Sequence, residues 1–215
     1  MTIEAVIFDF GGVITSSPFD AFNRFEAEHG LPHNFIRQVN ATQPHDNAWA
    51  KFERAEIGAS EFDALFATEA DLLGQKIGGH AVLALLSGDI RPRMVAALDT
   101  LKSAGFTIAC ITNNVPTGQG AGMAPNAAKA TEIDQIMKRF DHVIQSSKVG
   151  IRKPDPQIYA MMCAALAIPP DRCAYLDDLG INCKPAAEMG MTAIKVMNED
   201  QALDDLAKAV NLQLS

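Results

Sequence analysis

Five short apolar runs, at residues 3–8, 106–112, 142–145, 173–176 and 191–196, alternate with stretches of helical spacing, and this rhythm narrows the fold more than any other feature. The runs are rich in β-branched residues and read as strands. Between them, residues 91–104 set Met94, Val95, Leu98 and Leu101 three or four apart and stop at Gly105. Residues 156–166 repeat the pattern with Ile158, Met161, Met162 and Leu166. Strands joined through helices require right-handed crossovers and give a parallel sheet covered on both faces. The predicted class is α/β, a doubly wound parallel sheet forming a Rossmann-like core. Ligands of such sheets collect beyond the carboxyl ends of the strands. Asp9, Thr112 and Asp177 all stand at such ends.

Residues 16–88 break the rhythm. They hold helical patterns at 19–29, 35–39, 48–56, 60–73 and 80–86 and no convincing strand. Ser60 with Asp63 three positions later predicts a capping box at the start of one helix. Placed directly after the first strand, such an insert is expected to sit over the strand ends as a helical cap. The catalytic core is then 1–15 with 89–215, and the cap 16–88. Trp49, Phe52 and Phe62 are expected in the cap's own core, and Lys51 and Arg54 on a solvated helix face. The stretch 115–129, rich in Gly, Ala and Pro, reads as a long loop beside the Thr112 strand.

A chain of 215 residues suffices for one core plus a smaller insert. The net charge of −8 argues against nucleic acid or an anionic membrane as partner, though a local cationic pocket would still accept a phosphate. The four cysteines, Cys110, Cys163, Cys173 and Cys183, show no Cys-x-x-Cys spacing and are expected as buried free thiols. With no basic leader and no apolar stretch of the ~20 residues a bilayer span needs, a cytoplasmic location is the expectation. Oligomeric state is not legible in these patterns, and a homodimer stays open.

The chemistry-bearing residues are few. Asp9 ends the first strand and opens into Gly11 and Gly12, which let backbone approach a bulky anion closely. Thr112 follows the second strand, Lys153 precedes Pro154, and Asp177 and Asp178 follow the strand at 173–176. Together they describe a nucleophile, two anion binders and a cation site. A carboxylate attacks a phosphoryl group poorly because both are anionic, so the reaction needs fixed geometry and surrounding positive charge. Lys153 supplies one charge, and an all-oxygen site with few carboxylates suits Mg²⁺ for the rest. The expected substrate is a small phosphorylated molecule, and the product of attack an aspartyl-phosphate hydrolysed by water.

Four segments, Phe8-Asp9-Phe10-Gly11-Gly12-Val13, Ile111-Thr112-Asn113-Asn114, the run from Val149 to Pro156 containing Lys153, and Tyr175-Leu176-Asp177-Asp178-Leu179-Gly180-Ile181-Asn182, resemble in order and spacing the four motifs of the haloacid dehalogenase-like hydrolases. The run from Leu179 to Ala186 is most similar to the N-terminal phosphatase domain of soluble epoxide hydrolases and to domains fused to acyl-CoA dehydrogenases. The resemblance implies Asp9 as nucleophile, Thr112 as phosphate-binding hydroxyl and Lys153 as neutralising cation. It implies Asp178 as direct metal ligand, Asp177 as its partner through water, and the Gly11 carbonyl as a backbone ligand beside Asp9. Gly11, Gly12 and Asn113 fall on the substrate side.

One departure matters: phosphatases of this kind commonly carry a second Asp two positions after the nucleophile, where this chain has Gly11. That Asp serves as general acid and base, worth about 10²–10⁴ in rate, so a slow enzyme is expected. His45 and His33 are the ionisable residues of the insert that would substitute, although surface histidines are the plainer reading. Asn182 is expected to cap the helix that follows it, with Pro185 near its start and Gly190 at its end. Two further readings stay open: a metal-independent haloacid-type dehalogenase using the same Asp9, and a non-catalytic phosphate-binding module.

Overall fold

Strand β1 (Ala5–Phe8) is buried at every position. Its unbroken Ala-Val-Ile-Phe run reflects this, because a strand between two parallel neighbours with both faces covered loses apolar–polar alternation. The computed structural model describes residues 2–118 and 123–214. In it β1 pairs in parallel with β2 (Thr107–Thr112) on one side and β4 (Cys173–Asp177) on the other. With β3 (His142–Gln145) and β5 (Thr192–Lys195) the five-stranded sheet runs β3-β2-β1-β4-β5. The chain builds outward through β2 and β3, then crosses back to β4, so the order reverses beside β1. A crevice opens at such a switch point, beyond the strands' carboxyl ends.

Side-chain parity along β1 feeds two cores. Val6 and Phe8 pack with Met94, Leu98 and Leu101 of α6 (Pro92–Ser103), Ile133 and Ile136 of α7 (Ala127–Met137), and Leu203 and Leu206 of α11 (Glu199–Val210). Ala5 and Ile7 face Ile158, Tyr159 and Met162 of α9 (Pro156–Leu166) and Ala186 of α10 (Gly180–Glu188). A single-turn helix α8 (Ser146–Val149) follows β3. Among the described residues no helix is long and apolar enough to cross a membrane. All four cysteines are buried free thiols, as their context predicts.

Between β1 and α6 lie five helices, α1 (Pro18–Glu28), α2 (Phe35–Ala41), α3 (Ala48–Glu53), α4 (Ala59–Leu72) and α5 (Gly79–Leu83). They enclose a third apolar cluster that includes Phe22, Phe35, Phe52, Phe62, Phe66 and Val82. Phe52 and Phe62 stack with centroids 4.7 Å apart, and Trp49 meets Phe62 edge-on at 5.5 Å. The segment enters and leaves the sheet unit through a narrow neck. Thr15 bridges Ile90, and the Ser16 N–H donates to the Asp89 carbonyl at 2.7 Å.

Local signals failed in two places here. Helix α4 starts at Ala59 behind Gly58, so Ser60 lies inside its first turn and caps nothing. Asp63 instead accepts from the backbone N–H of His80 at 2.9 Å, trading a local cap for a contact that seats α5. The stretch 115–129 is not all loop, because α7 begins at Ala127, with the Asn126 side chain accepting from the Lys129 N–H at 2.9 Å. Residues 119–122 of that stretch lie outside the described residues.

Phe62 touches three aromatic rings and is wholly buried. Phe62→Ala should therefore cost about 3–5 kcal/mol by chemical denaturation followed through Trp49 emission. A loss under about 1 kcal/mol would show that this cluster is not tightly packed.

Candidate active site

Asp9, Thr112 and Asp177 come together because each stands at the carboxyl end of one of three adjacent strands. Lys153 reaches the same point from the turn before α9. Its Nζ lies 2.8 Å from Asp9 Oδ1 and 2.8 Å from Asp177 Oδ2, and the residue is 1% exposed. The Phe10 N–H also donates to Asp9 Oδ1, at 2.6 Å. Among the described residues both donors to Asp9 go to Oδ1, which leaves Oδ2 available. Asp9, Gly11, Thr112, Asn113, Lys153 and Asp178 share the wall of a cavity of about 530 Å³. Gly12 and Asp177 stand behind that wall.

Asp177 is completely buried and saturated with donors. Besides Lys153 it accepts from Tyr175 Oη at 2.5 Å, from the Leu179 N–H at 2.8 Å and from Asn182 Nδ2 at 3.1 Å to each oxygen. Asn182 is thus not a cap. It lies in the first turn of α10, whose N-cap position is Leu179, and turns back onto Asp177. Tyr159 Oη donates to the Asn182 carbonyl at 2.8 Å and steadies that turn. Asp178 points the other way, towards the cavity, and accepts from Ser17 Oγ at 2.9 Å.

The charges do not balance. Asp9, Asp177 and Asp178 each offer an oxygen within 4.8 Å of the others, against one ammonium. Burial, followed by the neighbouring carboxylates, holds the Asp9 carboxyl well above its usual range despite the opposing pull of Lys153. Burial and the charge of Asp177 push Asp178 up to about 6. Burial alone would lower Lys153, but Asp177 and Asp9 overcome it and raise the ammonium's pKa. A site with two surplus negative charges and all-oxygen donors fits a divalent cation.

The sheet unit and the insert share the cavity wall. Phe19, Phe22, Arg37, His45 and Trp49 line it, so His45 lies at the cavity while His33 does not. Lys51 and Arg54 pair locally with Asp46 and Glu56 and are half-buried, not on the fully solvated face expected of them. Glu53 belongs to no motif in the sequence. This buried carboxylate of α3 accepts from Asn113 and Arg152 of the sheet unit, 60 and 99 residues away. Its only local signal is Trp49 four residues earlier, which donates Nε1–H to it.

Comparison with known proteins agrees with this architecture. The sequence model for haloacid dehalogenase-like hydrolases matches residues 3–190. Bifunctional epoxide hydrolase 2 of Sus scrofa is 30% identical over 225 residues; the match covers all of this chain, which spans 40% of that relative's length. Phosphatase MT3486 of Mycobacterium tuberculosis is 29% identical over 223 residues, covering 97% of this chain and 94% of its own. Among solved structures, a HAD family enzyme of Bacteroides thetaiotaomicron in complex with magnesium and inorganic phosphate superposes with a TM-score of 0.57. It covers 90% of this chain and 93% of its own at 19% identity, a likeness of fold.

The two glycines after Asp9 differ in what they tolerate. A Cβ on Gly11 would meet nothing within 4 Å, whereas one on Gly12, at φ +79°, would fall 2.2 Å from Asp178 Oδ2. Gly12→Ala should lose more than the ~1–2 kcal/mol of the left-handed backbone alone. Gly11→Ala should stay within about 1 kcal/mol of wild type. Equal unfolding midpoints for the two variants would contradict the close approach of Asp178 to Gly12.

Proposed function

The chain belongs to the haloacid dehalogenase-like hydrolases, and within that family we propose that it is a magnesium-dependent phosphomonoesterase working through Asp9. The observation that carries this reading is the single ammonium of Lys153, 2.8 Å from both Asp9 and Asp177 at the cavity floor. It holds Asp9 Oδ1 in place and keeps Oδ2 turned to the reacting group. Asp9 Oδ2 attacks phosphorus, the ester P–O bond breaks with its electron pair on the leaving oxygen, and the alkoxide or phenoxide departs and takes a proton from water as the aspartyl-phosphate forms. Water then attacks that phosphorus, the bond to Asp9 breaks, and phosphate leaves. The Thr112 hydroxyl and the backbone at Gly11 and Asn113 bind the phosphoryl oxygens through both steps, and Gly12, behind the wall, shapes the turn that presents them.

Asp9, Asp178 and the Gly11 carbonyl would hold Mg²⁺, with Asp177 in support, and the ion would supply the charge neutralisation that a dianionic ester requires. Residues 16–88 act as the cap over a core of 1–15 and 89–215. The cavity walls of Phe10, Phe19, Phe22, Trp49 and Val115 favour an ester whose organic part is apolar. With Gly11 in the acid position, leaving groups that need little protonation should react fastest.

Two measurements test the reading. Purified protein should release phosphate from phenyl phosphate only with Mg²⁺, and Asp9→Asn should lower kcat at least ~10³-fold. Turnover that survives Asp9→Asn would remove Asp9 as nucleophile. Chloride release from a short 2-haloacid in chelator would replace the reading with dehalogenation.

The second measurement uses pH. A carboxyl raised to about 6, as Asp178 is, stabilises the fold below its ordinary value of 3.8, and the contribution is lost as pH rises through about 6. A cation relieves the repulsion only where the carboxylate is ionised. Millimolar Mg²⁺ should therefore raise Tm by a few degrees near neutral pH and scarcely at all at about pH 5. An equal shift at both would contradict binding at these carboxylates.

A further inference from the structure

Glu53 ends α3 and is 6% exposed, a carboxylate taken from water outside the Asp9 cluster. Such a group is costly unless donors surround it. Its donors come from both parts of the molecule. Oε1 accepts from Trp49 Nε1 at 2.9 Å, one turn back on α3. Oε2 accepts from Asn113 Nδ2 at 3.2 Å and from Arg152 Nε at 2.5 Å. Arg152 Nη1 donates onward to the Pro44 carbonyl at 2.9 Å, which ties the same arginine to the segment before α3.

Asn113 carries the connection to the reacting centre. Its Oδ1 accepts from the Lys153 N–H at 2.9 Å, and its Nδ2 donates to the Lys153 carbonyl at 3.0 Å. One carboxamide thus pairs with both backbone groups of the residue whose ammonium holds Asp9. At the other end of the chain of contacts, the Trp49 ring lines the cavity where the organic part of an ester would lie. Its indole N–H is committed to Glu53, so the ring's orientation and the carboxylate's position are set together.

We infer that Glu53 is a positioning residue that couples occupancy of the cavity at Trp49 to the placement of Lys153. The inference rests on the phosphatase reading for its catalytic consequence. An organic tail packed on the indole restricts Trp49 and Glu53 before reaction, and Asn113 passes that restriction to the backbone of residue 153. Binding energy from a part of the substrate remote from phosphorus is then realised at the reacting centre, which raises kcat and not affinity alone.

The test compares phenyl phosphate with its para-hexyl derivative, whose leaving groups have similar acidity, on wild type, Glu53→Gln, Glu53→Ala and Trp49→Phe. Wild type should turn over the hexyl ester with a kcat about tenfold higher. Glu53→Ala should abolish that kcat advantage while leaving the ratio of KM values within about twofold, and Glu53→Gln should keep part of it. Trp49→Phe retains the aromatic surface but lacks the N–H, and should lose most of the advantage without loss of fold. An undiminished kcat ratio in Glu53→Ala and Trp49→Phe overturns the coupling.

A second readout needs no turnover. The Lys153 amide should exchange with solvent deuterium about tenfold faster in Glu53→Ala and Glu53→Gln at matched global stability. Exchange within about twofold of wild type overturns the positioning role. Absence of turnover in wild type would count against the phosphatase reading, while the exchange measurement would still decide whether Glu53 positions residue 153.

Discussion

The ammonium of Lys153 bridges Asp9 and Asp177 at 2.8 Å on each side, and almost none of the residue reaches solvent. A charge so deeply placed is tenable only because two carboxylates face it, and Asp177 is tenable only because Tyr175, Asn182 and the Leu179 N–H share it. The contributors come from four places: the end of β1, β4, the turn before α9, and the start of α10. The parallel register brings them to one edge, since Phe8 lies opposite both Cys110 and Leu176 and Asp9 is the first residue beyond β1. Weakening any of these elements would misplace the ammonium.

The same arrangement leaves a surplus of negative charge that the protein itself does not neutralise, with Asp9 and Asp178 both held above their ordinary carboxylate range. That strain sits at the floor of a cavity whose upper walls are aromatic. On the proposed reading, a phosphoryl group with an apolar body would complement both halves once a divalent cation is present. The insert meets the sheet unit through the Thr15–Ile90 neck, through Ser17 on Asp178, and through Glu53 on Asn113 and Arg152. Two of these contacts touch residues adjacent to the reacting carboxylates or the lysine, so the insert's seat bears directly on the site.

Much of this was legible in the chain. The strands were found because buried parallel strands are short β-branched runs, and the helical insert because its apolar spacing changes period. Boundaries moved by a few residues, as with β4, which continues one residue further to Asp177. What the sequence did not reveal was governed by distant partners. Ser60 and Asp63 have the spacing of a capping box, yet Asp63 is claimed by His80. Asn182 has the composition of a cap, yet the helix starts two residues earlier, at Gly180, and its amide donates to Asp177 instead. Glu53 has only Trp49 one turn back to mark it, because the other groups that explain it arrive only after folding.

The most direct test of the account is to trap the covalent intermediate. Protein mixed with a ³²P-labelled aryl phosphate and Mg²⁺, then quenched in acid within a turnover, should carry label on the peptide containing Asp9. Asp9→Asn should carry none. Steady release of phosphate with no label on the protein, or with label on any other peptide, would contradict the central claim that the carboxylate held by Lys153 is the attacking group.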